Sequence, residues 1–519
     1  MPPSLLLLAP PARRLLALLP LLLTCTAVHA QGHGQGHGQG QGQGQGNRPA
    51  MNPSMNMPMP RGNGNGNGNG NGMGNGNSMG MGNGMGNGMG MGLQRDPPGL
   101  LKQQNWMQPG NSGNVGNAAS GARAANAANA ANRGDNDETG EGPSLQQSRA
   151  RTVKNLLRVY RDVIEADPRG EPVLRRQLLA WSPQPAVLEA ARAEGFSVLG
   201  KRVLGGLGET LVTLGVPERY STEEALARLQ ALDPGGSHDF NHLYISSGQS
   251  GKPSATGQRA ARPAAAGPVR VGLVDGGIDG THQAFQKAAI RRWGCNGRVV
   301  PSAHGTAVAS LLIGNADRFH GVSPGARLYA ADAYCGSETG GAVDQIIEAL
   351  AWLAREQVPV VNVSLVGPPN QMLERAVQAM LKRGHLLIAA VGNDGPAAPP
   401  LYPASYPGVI GVSGADAQRR ILPEAARGPQ VMFAAPGSQM LAAAVGPQPY
   451  GVVRGTSFAA PIVAAMLAQS MRKPDLVAGR AAVAKLAARA QRMSSGERSP
   501  EAGYGLVGEA FRIAPEARP

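Results

Sequence analysis

Aromatic side chains make up only 4% of the 519 residues, too few for the stacking surfaces that hold single-stranded nucleic acids. Acidic residues are also in deficit, 34 against 48 basic ones, for a net charge of +14. The arginines are scattered through helical patterns rather than clustered with aromatics, so no nucleic-acid partner is expected despite the charge. Acidic residues nowhere form a dense loop of the EF-hand type, so calcium binding stays open without an identifiable site; no metal ligands are assigned and no other cofactor is expected. Cysteine is nearly absent, with three in the chain. After the first 30 residues no apolar run is long enough to cross a bilayer.

The one strong apolar run, LLALLPLLLTCTAV, follows Arg13 and Arg14 and is interrupted by Pro20. It reads as a secretory signal with small residues at Val28-His29-Ala30 for cleavage before Gln31, giving a signal segment at 1–30 and an exported chain, periplasmic, surface-bound or secreted. Cleavage removes Cys25 and leaves Cys295 and Cys335. In an exported protein these can form one disulfide. It would close a loop of roughly 40 residues, worth about 4 kcal/mol in the chain-entropy description.

Glycine is abundant instead, at 74 residues, with 42 prolines. Most of the glycine excess lies in 31–144, which runs from HGQGHGQGQGQ through NGNGNGNGNGNG and MGNGMGNGMGMG. Such a segment cannot bury enough apolar surface to offset the entropy of ordering its backbone, and is expected to be disordered. His33 and His37 in it are not expected to bind metal.

From 145 to 247 the composition turns globular. RTVKNLLRVYRDVIEAD, VLRRQLLAW and AVLEAARAEG carry apolar residues at helical spacing. GFSVLGKRVLGGLGETLVTLGVP reads as two strands, YSTEEALARLQALDPGG as a helix capped by Ser221 or Thr222, and DFNHLYISS as a strand. Residues 248–268, rich in Gly, Pro, Ser and Ala, read as a linker. In 269–513, the apolar strands VRVGLVD, ARLYAADAY, PVVNVSL, HLLIAAVG and VIGVSGA alternate with helical patterns. That alternation implies an α/β fold, a doubly wound, mostly parallel sheet with helices on both faces.

Three short motifs occur in this last region in the order Asp, His, Ser: VGLVDGGID around Asp275, HGTAVAS around His304 and GTSFAAP around Ser457. A fourth, AAVGNDG around Asn393, lies between the last two. Asp275 ends a predicted strand, where a side chain projects into a cleft. His304 and Ser457 each open a predicted helix, and a helix N-terminus turns free N–H groups toward developing negative charge. An acid, a base and a nucleophile in this order resemble subtilisin-like serine proteases, not the chymotrypsin or α/β-hydrolase arrangement. The resemblance covers about Val269 to Ile513.

The resemblance implies an Asp275/His304/Ser457 triad with Asn393 in the oxyanion hole. It departs from the family at Gly276, where Ser or Thr is usual. It also implies that 145–247 is a small α+β prodomain, an intramolecular inhibitor and folding aid, and that Ser364, Leu365 and Val366 pair with an extended polypeptide substrate. Val366 and Leu401 stand where the family often has Gly, implying a narrow primary pocket for small or medium apolar residues. DFNHLY looks like a prodomain end, which implies self-cleavage at Tyr244–Ile245, although Tyr244 is large for that pocket. The function implied is an exported serine endopeptidase. The competing reading is a catalytically silent, surface-tethered scaffold of the same fold.

Overall fold

The computed structural model describes residues 145–254, 269–316 and 319–515. The expected signal (1–30), the Gly/Asn-rich region (31–144) and the later part of the expected linker lie outside the described residues.

The N-terminal part runs α1 (Leu145–Val159), β1 (Ile164–Ala166), β2 (Pro172–Trp181), α2 (Pro185–Ala193), β3 (Ser197–Leu204), β4 (Glu209–Gly215), α3 (Thr222–Leu232) and β5 (His238–Ser246). Ser221 and Glu224 close a reciprocal capping box at the start of α3, satisfying two of the N–H groups a helix start leaves free. VLRRQLLAW, expected as a helix, is instead strand β2. Arg176 takes φ +57° there, and the pairing of β2 with β5 shifts register between Val173 and Leu178. This bulge breaks the period-two alternation, and the apolar residues on either side of it mimic helical spacing.

The chain continues with β6 (Gln249–Ser254), β7 (Arg270–Asp275), β8 (Ala289–Trp293), α4 (Ala303–Ile313) and the short pair β9 (Asn315–Ala316) and β10 (Phe319–His320). Next come β11 (Arg327–Asp332), β12 (Gly341–Ala342), α5 (Val343–Arg355), β13 (Val360–Val363), β14 (Leu365–Val366) and α6 (Gln371–Lys382). The last elements are β15 (Leu386–Ala390), β16 (Ile410–Ala415), β17 (Val431–Pro436), β18 (Met440–Ala443), β19 (Tyr450–Arg454), α7 (Thr456–Ala468) and α8 (Leu476–Ala487). Residues 249–254, expected as linker, therefore form a strand, and it pairs with β19.

Seven strands form a parallel sheet in the order β17-β16-β15-β13-β7-β11-β8. The two end strands, β17 and β8, were not anticipated; β8 (AIRRW) has two arginines at its centre and no buried residue, so no apolar run announces it. Helices α4 and α7 pack on one face of the sheet, α5 and α6 on the other. The α5/α6 layer is covered in turn by the N-terminal antiparallel sheet, whose Leu179, Trp181, Leu204 and Leu211 join the same apolar cluster. Helix α7 is apolar on every side beyond Thr456 and Ser457 and is buried except at Met466, as a helix enclosed by sheet and neighbours must be.

The interface between α5 and the N-terminal sheet holds two carboxyl groups. Burial pushes Glu348 up to about 7, opposed by Arg202 at 3.1 Å and reinforced by Asp344; Asp344 is likewise raised by burial. An acid whose folded-state pKa is raised binds extra protons when folded. Its contribution therefore falls as pH rises from the unfolded value near 4.5 through about 7, then stays level. Stability should drop over that window by up to a few kcal/mol, and Glu348→Gln should flatten the drop. Chemical denaturation of Ser457→Ala protein at pH 5 and pH 8 measures it; an unchanged slope in the variant contradicts the assignment.

Cys295 and Cys335 have sulfurs within bonding distance and Cα atoms 5.0 Å apart, inside the range a bridge requires. Peptide mapping of protein purified without reductant should recover them as a linked pair, and two free thiols would contradict this.

Candidate active site

Asp275 is the last residue of β7 and is fully buried. Both of its carboxylate oxygens lie 3.0 Å from His304 Nδ1. His304 Nε2 lies 3.0 Å from Ser457 Oγ. Three side chains from separate elements thus form one continuous line of hydrogen bonds.

Each is held by its own local chemistry. His304 is the second residue of α4, whose N-cap Ser302 accepts the Gly305 N–H at 3.1 Å. Gly305 is needed because a Cβ there would run into the Gly276 carbonyl. The departure at Gly276 has a similar cause: a Cβ would press on Ser302 at 2.7 Å, the residue that starts the His304 helix. Its own N–H supplies the Asp275 Oδ1 with a hydrogen bond of 2.7 Å.

Ser457 is the second residue of α7, after Gly455 at φ +137°. Pro461 sits four residues beyond Ser457, one turn deeper than a first-turn proline, and has no N–H to offer the Ser457 carbonyl. Ser364 Oγ donates to that carbonyl at 3.1 Å instead, and Asn362 Nδ2 donates to Ser364 Oγ at 2.8 Å. Ser364, expected only as a substrate contact, thus also anchors the start of α7. Asn393 Oδ1 accepts the Thr456 N–H at 3.0 Å. That bond fixes the amide and turns Nδ2, buried without a partner among the described residues, toward Gly455.

Residues 267–505 match the subtilase family. The chain carries a subtilase domain. Curated relatives include the minor extracellular protease Epr of Bacillus subtilis (strain 168), 32% identical over 170 residues, covering 32% of this chain and 26% of that protein. Subtilisin BL of Lederbergia lenta is 34% identical over 175 residues, 33% of this chain and 64% of that one. The chain thus spans from about a quarter to just under two thirds of these relatives' lengths. Fervidolysin from Fervidobacterium pennivorans, described as a keratinolytic enzyme related to subtilisin, aligns with a TM-score of 0.54 at 19% identity, over 67% of this chain and 62% of its own. That likeness is one of fold.

The cleft of the subtilase domain is filled by the chain's own N-terminal part. The end of β5 lies between two short strands of the domain: Leu243 and Tyr244 pair with β12, Ile245 and Ser246 with β14. Leu365 and Val366 therefore do meet an extended segment, and Tyr334, unforeseen, adds a contact from its hydroxyl to Ser246 Oγ at 3.1 Å.

The register places Tyr244–Ile245, the bond expected to be cut, away from Ser457. Tyr244 lies over Gly367 with its hydroxyl on the Pro368 carbonyl, and Ile245 opposite Val366. The residue against Ser457 is Gly248, where a Cβ would collide with Ser457 Oγ, and the Ser247 carbonyl lies beside Gly455. Leu401 is buried, its Cδ1 2.5 Å from where a Cβ on Gly392 would stand, so it fills space beside Asn393. The conflict between a large Tyr244 and a narrow pocket disappears, because Tyr244 occupies a different place.

The anchoring of the Ser457 carbonyl can be tested by stability alone. Ser364→Ala leaves a buried acceptor unpaired and should cost about 1–3 kcal/mol. Denaturant titration in a Ser457→Ala background measures the loss; no change would mean the carbonyl finds another donor.

Proposed function

We propose that this chain is an exported serine endopeptidase, made with residues 145–247 as a prodomain, and that the first bond it cuts is its own Ser247–Gly248. The observation that carries this reading is the line Asp275–His304–Ser457, at 3.0 Å per step, with an extended segment of the same chain lying across it.

In the proposed reaction, His304 Nε2 takes the Ser457 proton as Oγ attacks the carbonyl carbon of the bound peptide. Asp275 holds the Nδ1–H and stabilises the imidazolium that results. The oxyanion is received by Asn393 Nδ2 and the Ser457 N–H. As the tetrahedral adduct collapses, His304 returns the proton to the leaving amine. A seryl ester on Ser457 remains, and water, deprotonated by His304, hydrolyses it.

The buried Leu401 favours a small residue before the scissile bond, such as Ser247, over an aromatic one. The paired β12 and β14 edges bind backbone, so polypeptides in extended form are the substrate class. A silent scaffold would bind peptides equally well. A fluorophosphonate probe separates the two, because it labels Ser457 only where His304 activates it.

Asn393→Ala should lower kcat by roughly a hundredfold or more with little change in KM, the mark of a donor used only in the transition state. An effect confined to KM contradicts its role. N-terminal sequencing of the mature form should read from Gly248. A start at Ile245 would restore the bond expected from the sequence. Ser457→Ala protein cut identically in isolation would remove self-processing.

A further inference from the structure

Helix α8 turns an apolar row toward solvent. Its inner face carries Gly479, Ala482 and Leu486, all buried. At about 100° per residue, Val477, Ala481, Ala484 and Ala488 line up on the opposite side, and all four are exposed. A surface helix ordinarily places polar side chains along that row. Leu476 and Val477, at the helix start, are 50% and 79% exposed.

Cations flank the row. By the same spacing Arg480 lies to one side of it, and Lys485 and Arg489 to the other. Arg472 and Lys473 stand in the turn before the helix. The Asp475 N–H donates to the Gly384 carbonyl at 3.0 Å, which brings the end of α6, with Lys382, to the same turn. All six cations are exposed, and none belongs to an ion pair among the described residues. Asp475 is the single acid from 471 to 496. Its Oδ1 accepts the Val477 and Ala478 N–H groups at 2.9 and 2.8 Å, so it caps the helix rather than pairing with a neighbouring cation.

We propose that the outer face of α8, with the turn before it, is a docking surface for a bilayer that carries anionic phospholipid. Unpaired cations on both flanks complement a layer of phosphates. The aliphatic row between them, led by Leu476 and Val477, enters the boundary between headgroups and acyl chains. Lysine and arginine stems are long enough to lie along that row while their charges stay among the phosphates. The row holds no aromatic and no amide side chain, which a nucleic acid would need for stacking or base contacts. The position on the sheet gives the docked orientation. Gly384 and His385 lead into β15, a strand of five residues, about 17 Å long, and Asn393 follows its other end. The docking face and the Ser457 cleft thus lie toward opposite ends of the parallel sheet, and a docked molecule keeps its cleft turned to the solution.

The test is sedimentation of Ser457→Ala protein with vesicles, one set of pure phosphatidylcholine and one of phosphatidylcholine and phosphatidylglycerol in equal amounts. The mixed vesicles should bind at least about tenfold more tightly, and added salt should weaken that binding. Each cation near such a surface is worth roughly fivefold in partitioning. A chain with Lys473→Gln, Arg480→Gln and Lys485→Gln should therefore lose about a hundredfold. Leu476→Ser with Val477→Ser should lose about tenfold with the salt dependence unchanged. All five positions are exposed, so both variants should unfold at the parent's denaturant midpoint. Equal binding to the two vesicle types, or a charge variant that binds like its parent, overturns the proposal. So does duplex DNA that binds the parent as tightly as the mixed vesicles do and is indifferent to Leu476→Ser with Val477→Ser, since the face would then be selective for charge alone. None of these chains cleaves anything, so the result stands apart from whether the chain is a protease.

Discussion

A proline one turn into α7 leaves the carbonyl of Ser457 without a partner in its own helix. Much of the site's geometry follows from how that carbonyl is satisfied. Ser364 answers it from the end of β13, and Asn362 in turn holds Ser364. Of the helix N–H groups at the site, that of Thr456 is held by Asn393 Oδ1, and that of Ser457 is the one proposed to meet the oxyanion. The start of the nucleophile's helix is thus held through its backbone by Ser364 and Asn393, which follow the ends of β13 and β15, while the Ser457 hydroxyl faces His304.

The same strands set the approach of any occupant. β13 runs into β14, whose two residues pair with the last residues of β5. β12 holds the opposite side of β5. Because the positioning contacts are mainly backbone to backbone, the register of the occupant depends on few side chains. Tyr244 over Gly367 and the absence of a side chain at Gly248 are the two that fix it here. Two-residue strands cannot set register through alternation alone.

The chemistry of the site was legible because it sits at element ends, where particular residue types recur with little influence from distant packing. Asp275, His304, Asn393 and Ser457 were singled out on such grounds, whereas the pair Cys295 and Cys335 was singled out by counting the cysteines left in an exported chain. Long-range relations were less visible. Nothing local in DFNHLYISS says which of its peptide bonds will lie at Ser457, since that depends on pairing with strands about 100 residues later. The bulge at Arg176 hid a strand inside a helical spacing. Ser364 read as a substrate contact because the missing N–H of Pro461, 97 positions away in sequence, gives it a second task only in the folded chain. Gly276 looked like a loss until Ser302 was seen to need its space.

The N-terminal antiparallel sheet does not end at the boundary between the two parts. It borrows β12 and β14 from the subtilase domain and becomes a seven-stranded sheet built from both. Without β5, those two strands are open edges of the kind proteins usually blunt with charge, proline or a covering element. The residues flanking β5 there, Gly341, Ala342, Leu365 and Val366, are uncharged. An uncovered domain is therefore adhesive toward any extended backbone, including those of its own copies. With β5 in place, these backbone groups are paired within the chain and are not open to the extended backbones of neighbouring copies.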